Sequence, residues 1–261
     1  MNSPANFPTK TERLEFALRS GTLGDVAGIL AEMSPGDVAY LISSSPPDYR
    51  AVLLGLLESE QEALVVNELP DELRNAVLAD REPEALAEIV EQLDDDDVAD
   101  ILHELPDEVT GQVLAIMDEQ YRQRIQKVLS FSDDVAGGLM STDTITIRAD
   151  LTLDVVLRYL RRHKELPPNT DSLIVVNRDD RFVGLLAIGT VLVSDPAVSV
   201  REMMITDQEA IAADTSATEV ARRFERNDWI SAPVVDDDGN LLGRIMIDDV
   251  VDVIREEADH S

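Results

Sequence analysis

The chain has 261 residues, 53 acidic against 22 basic, a formal net charge of −31, 44% hydrophobic residues and no cysteine. The apolar fraction is that of a globular protein of about two domains, and the missing cysteines exclude disulfides, zinc–thiolate sites and thiol nucleophiles. A chain this negative is a poor partner for nucleic acid, and it needs cations, diffuse or bound, against its own self-repulsion.

The N-terminus, MNSPANFPTKTERLEF, lacks the basic-then-apolar pattern of a signal peptide. No apolar run reaches the roughly 20 residues that span a bilayer, so the sequence reads as soluble and cytoplasmic. Residues 1–131 predict a series of short helices. Pro35, Pro47, Pro70, Pro83 and Pro106 are placed for first helical turns. Apolar residues follow at helical spacing, as in Leu73, Val77 and Leu78, or Val98, Ile101, Leu102 and Leu105. Glu68-Leu69-Pro70-Asp71-Glu72 recurs 36 residues on as Glu104-Leu105-Pro106-Asp107-Glu108, the mark of repeated helix pairs stacked into a small superhelix.

The character changes near Phe131, where residues 132–138 form a polar, glycine-bearing segment that reads as a hinge at Gly137-Gly138. Beyond it Ile147 falls on Ile211, Asp150 on Asp214 and Val156 on Val220 at an offset of 64; Val175-Val176 falls on Val234-Val235 and Gly184 on Gly243 at an offset of 59. Each copy predicts strand, helix, strand, turn, strand, helix. In the second copy the helix is 217–227, the strands are 232–235 and 241–247 around the turn 236–240, and the last helix is 248–258. The fold class is therefore an α-helical superhelical domain followed by an α/β tandem of βαββα units.

Two acidic groups stand out. Asp96 and Asp100 lie four apart on one helical face within the run Asp94, Asp95, Asp96, Asp97, near enough to share a hard cation or a water shell. The other reading is a solvated helix start, its charges meeting the helix dipole, and Asp94 and Asp95 are assigned to it. Asp249, Asp252 and Glu256 share a second face, with Asp248 beside it, and a solvated face is the alternative there too. The three histidines, His103, His163 and His260, show no HExxH spacing, and the phosphate-loop patterns GxxxxGK[ST] and GxGxxG are missing, so no enzyme is expected. Nineteen arginines against Lys10, Lys127 and Lys164 match a salt-adapted composition, which competes with no specific site.

The tandem resembles a pair of CBS domains, on Leu139-Met140, the stretch PVVDDDGNLLGRI at 233–245 and the acidic helix from Asp248 to Ile254. With the LPDE repeats, the Asp96–Leu105 stretch and the Ala-Gly-Gly-Leu-Met junction before it, residues 20–258 resemble the cytosolic part of the MgtE magnesium transporter family. That resemblance implies a helical N domain at 1–131, CBS units at 132–200 and 201–261, and a connecting helix into a membrane domain missing from the chain. It implies magnesium held by Asp96, Asp100, Gly138, Asp228, Asp249, Asp252 and Glu257, and a homodimer through the CBS pairs at the cytoplasmic face of the inner membrane. Thr218 stands where a relative offers Glu. It further implies ATP in the CBS cleft, with Trp229 and Asp249 as contacts. Here the nucleotide signature is incomplete: Ala187 and Thr190 replace it in the first copy, and Met246 with Asp249 keeps half of it in the second. The expected role is a magnesium sensor: the cation bridges the two acidic groups, and its loss lets the N domain swing. A CBS-pair adapter sensing adenine nucleotide is the alternative.

Overall fold

The computed structural model describes residues 23–79 and 81–259, with side chains as far as Arg255. The first 22 residues of the expected helical domain lie outside that range. The chain forms two compact units, one running to Leu93 and taking in Ile101–Met117, the other made of Asp94–Asp100 and the chain from Asp118 onward.

The first unit contains α1 (Leu23–Ala31), α2 (Pro35–Ser44), α3 (Pro47–Leu54), α4 (Ser59–Asn67), α5 (Asp71–Leu78), α6 (Pro83–Val90), the end of α7 (Asp95–Glu104) and α8 (Asp107–Ile116). Pro35, Pro47 and Pro83 occupy first-turn positions, as expected, where a missing N–H costs nothing. Pro70 and Pro106 stand one residue earlier, as extended N-cap residues, so that Asp71-Glu72 and Asp107-Glu108 fill the first turns and meet the helix dipole. The repeated LPDE motif is thus a helix-start signal. Every second helix packs on the next, α2 on α4, α4 on α6 and α6 on α8, the layering that a 36-residue helix-pair repeat dictates. Arg74 ties the two motif copies together, 2.9 Å from both Asp71 and Glu104.

The second unit opens with α9 (Glu119–Leu129), capped by Asp118, whose Oδ1 accepts the backbone N–H groups of Gln120 and Tyr121. The first βαββα unit follows: β1 (Thr146–Arg148), α10 (Leu153–Leu160), β2 (Ser172–Val176), β3 (Phe182–Ala187) and α11 (Ile188–Val193). A short α12 (Val200–Met203), not foreseen from the sequence, begins with a Ser199–Glu202 capping box. The second copy is β4 (Ile211–Ala212), α13 (Ala217–Asn227), β5 (Ser231–Val235), β6 (Leu241–Met246) and α14 (Ile247–Asp259). Both sheets run in the order first, second, third strand, with a parallel and then an antiparallel pairing.

The two copies interlock reciprocally. The segment leading into each copy bridges to the last strand of the other, Ser141 to Arg244 and Ile205 to Leu185, and the hairpin tips join at Arg181 and Asn240. This explains the glycines that recur at 184 and 243. A Cβ at Gly184 would lie 2.6 Å from the Ile205 carbonyl oxygen, and one at Gly243 2.5 Å from that of Ser141. The hinge expected at Gly137-Gly138 is instead a packed segment. Both residues are buried, the Gly137 N–H donates to the Ala213 carbonyl, and a Cβ on Gly138 would meet the Ser132 carbonyl oxygen at 2.3 Å.

Candidate metal centre

The start of α7 is buried because Val98 and Ala99 face the core, and this carries Asp95 and Asp96 inward, 3% and 6% exposed. The two neighbours meet different surroundings. Asp95 Oδ2 accepts both the backbone N–H (3.1 Å) and the hydroxyl of Thr142, while Arg124 Nη2 stands 3.8 Å from Oδ1. Its charge is well partnered, so Asp95 is an anchor and not the solvated helix-start residue expected from the sequence. Asp96 has no such set: its Oδ1 is buried without a hydrogen-bond partner.

Asp249, from the first turn of α14, lies against Asp96, close enough for the two carboxyl groups to share a proton. Asp249 Oδ2 also accepts the Met246 N–H at 3.1 Å, which orients it. Burial, followed by the charge of Asp249, pushes the Asp96 carboxyl well above the usual carboxylate range. Burial, followed by the charge of Asp248, pushes Asp249 up to about 8. Asp94 is raised as well, by burial and by Asp95 and Asp248, with Arg244 acting the other way. The start of α7 and the start of α14 therefore confront each other with like charge that protein cations balance only in part.

A hard, oxygen-seeking cation fits this donor set. Among the described residues no group of three or more acidic or histidine side chains surrounds one metal position. The pair suits a hydrated ion such as magnesium, which keeps several waters and needs one or two carboxylates. Asp96 and Asp249 are the expected ligands that the structure brings together. Asp100 is exposed one turn along α7, and Gly138 is buried in its packed segment. Asp228 is an exposed left-handed cap ending α13 (φ 52°), and Asp252 is exposed and paired with Arg255 at 3.1 Å. The Glu257 side chain lies outside the described residues. Trp229 is half-buried and meets Phe224 edge-on, ring centres 5.8 Å apart, packed against the second copy's core.

A stack of helix pairs followed in the chain by two interlocked βαββα units defines the class, a helical N-terminal region with a CBS-type pair. Residues 33–134 match the MgtE intracellular N domain, and residues 134–194 and 200–256 match the CBS domain. The chain is 32% identical over 248 residues to the magnesium transporter MgtE of Thermus thermophilus and 28% identical over 249 residues to that of Bacillus subtilis. Those matches cover 94% and 95% of the chain but 55% of each transporter. Among solved structures it is similar to the cytosolic domain of the Mg2+ channel MgtE in complex with ATP, with a TM-score of 0.84 and 32% identity over 92% of this chain and 98% of that one. The soluble part of a magnesium transporter shares the fold, with a TM-score of 0.81 at 20% identity, covering 95% and 98% of the two chains. The chain belongs to the MgtE family and comprises its cytosolic N domain and CBS pair. No helix among the described residues is long and apolar enough to cross a membrane.

Proposed function

We propose that this chain is the magnesium-sensing region of an MgtE-type transporter or channel, and that a hydrated magnesium ion bridges Asp96 and Asp249. The observation that carries this reading is Asp96, buried beside a second carboxyl and with its Oδ1 unpartnered. With the ion bound, both carboxylates are neutralised and the start of α7 is held against α14. Without it they repel or take up a proton, and the state that holds them together is disfavoured. The cation shifts a population because it binds one state better than the other. Asp100, Gly138, Asp228, Asp252 and Glu257 are assigned supporting positions around further ions, and the domain limits 1–131, 132–200 and 201–261 are our division of the chain.

We assign the chain to a homodimer formed through the CBS pairs, at the cytoplasmic face of the membrane and continuous with a transmembrane part. Leu192 and Val193 are 69% and 86% exposed, and Ile247, Val251 and Ile254 line an exposed stripe on α14, which supports such an interface. ATP is a second ligand in this proposal, favoured by the ATP complex of the 32%-identical relative. Trp229 and Asp249 are its contacts, and calorimetric titration with ATP tests it.

Small-angle scattering at matched ionic strength, with and without millimolar magnesium, tests the sensor. Magnesium should compact the protein and monovalent salt should not. An unchanged radius of gyration, or an identical change in the Asp96→Ala variant, sinks the idea.

A further inference from the structure

The end of β1, the β2–β3 hairpin and α12 enclose a cavity of about 480 Å³ lined by Arg148, Arg178 and Arg201, with Asn177 beside them and Val183 and Met204 as apolar wall. Arg148 Nη2 pairs with Asp180 at 3.2 Å, but its Nη1 is buried without a partner. Arg178 and Arg201 are exposed and make no side-chain ion pair or hydrogen bond with a described residue. Asp150 is the one acidic residue of the lining.

The second βαββα unit is an internal control for what the fold itself requires. Its backbone repeats the local pattern: Arg201 N donates to Ala149 O as Gly137 N does to Ala213 O, and Asn177 N to Arg181 O as Asp236 N does to Asn240 O. At the positions of Arg148, Arg201 and Arg178 it carries Ala212, Gly137 and Asp237. There the space is filled from within, since a Cβ on Gly137 would lie 2.3 Å from the Phe131 ring. Packing therefore does not call for three arginines. In the first unit the same place is open and ringed with guanidinium groups, in a chain otherwise short of positive charge.

We propose that this cavity binds a small soluble phosphomonoester. Guanidinium forks match phosphate oxygens bidentately, and with Asp180 taken up by Arg148 and Asp150 in the lining, the three arginines still leave a net positive site with Arg178 and Arg201 unpaired. The volume lies within the range of small-molecule sites, roughly 300–1,000 Å³, with apolar wall for the body of the ester. The negative field of the rest of the chain is screened beyond about 8 Å at physiological salt, so the adjacent arginines dominate. None of the magnesium or ATP residues assigned above lines the cavity, so the inference stands or falls independently of them.

Titration calorimetry in EDTA and 0.15 M salt, with inorganic phosphate and glycerol 3-phosphate as probes, tests the site. Saturable binding is expected for both. The double variant Arg178→Ala with Arg201→Ala should weaken it by about tenfold or more, with an unchanged circular dichroism spectrum because both side chains are exposed. Arg158→Ala, an exposed arginine outside the cavity, should bind as the wild type does. No saturation by about 10 mM, or equal weakening by Arg158→Ala, overturns the proposal. Binding to phosphatidate vesicles without binding of either soluble probe also overturns it.

Discussion

Replacing Asp249 by Asn should reduce a pH dependence that the acidic seam imposes on the cation-free protein. In the unfolded chain this carboxyl titrates near 3.8, and in the folded chain it is pushed up to about 8 by burial and by Asp248. Between those values the folded state holds a proton that the unfolded state has released, so stability falls as pH rises, by at most about 1.4 kcal/mol per pH unit. Because Asp96 and Asp249 share their surroundings, a single proton is counted for the pair. From pH 5 to pH 8 the loss comes to about 3–4 kcal/mol, or roughly 10 °C in melting temperature for a unit of this size. Trp229, the chain's single tryptophan, packs on Phe224 in the second unit and reports that unit's unfolding by fluorescence. In EDTA the wild type should lose stability between pH 5 and pH 8. Asp249→Asn should lose measurably less over the same interval, keeping only the part of the slope that the burial of Asp96 imposes by itself. Magnesium, which requires the deprotonated pair, should stabilise the wild type at pH 8, do little at pH 5, and leave the variant almost unaffected. A wild-type stability in EDTA that is flat across this interval, or an equal slope in Asp249→Asn, would refute the reasoning.

Asp95→Ala should destabilise the second unit by about 1–2 kcal/mol, because it leaves the half-buried Thr142 N–H and hydroxyl without their acceptor; urea denaturation followed at Trp229 measures it. Gly243→Ala and Gly184→Ala should each cost about 1–3 kcal/mol in the same assay, since the new methyl meets a backbone carbonyl that cannot turn away. If the proposed CBS dimer forms through this patch, the wild type should sediment as a dimer in analytical ultracentrifugation and Leu192→Asp with Val193→Asp as a monomer, with the melting of the fold intact because both side chains are exposed.

The fold was legible because its signals are periodic. A helix-pair repeat shows as a motif that recurs once, 36 residues on, and the βαββα duplication shows in the apolar strands and in the glycines at 184 and 243. Local pattern carried even the limits of α13, 217–227. The supposed hinge at Gly137-Gly138 misled because glycine has two uses. Neither residue takes a left-handed φ; both are small because other groups crowd them, Phe131 in one case and the Ser132 carbonyl in the other. Nothing in the local sequence separates a glycine kept for freedom from one kept for space. Asp228 shows the converse: acidic and well placed by resemblance, it takes the left-handed cap of α13 at φ 52°.

The acidic run raises the same difficulty at finer scale. Asp95 and Asp96 are adjacent, chemically identical and almost equally buried, and helical spacing by itself cannot rank them. What separates them is the supply of hydrogen bonds. Asp95 meets Thr142 and Arg124, so its ionised form is solvated by protein and its surroundings ask for nothing further. Asp96 meets another carboxyl and leaves one oxygen bare. Burial with partners makes a clasp that holds at any cation concentration, whereas burial against like charge makes a position whose free energy depends on what is dissolved around it. Placing the two side by side on one helix turn lets the clasp hold the Asp96 carboxyl at its opponent, where the proposed cation would bind. Asp95→Ala should accordingly weaken the magnesium response by loosening the positioning of Asp96. Asp96→Asn should abolish that response while leaving the Thr142 bonds and the fold in place, and equal magnesium stabilisation of Asp96→Asn and wild type at pH 8 would show that this division of labour is wrong.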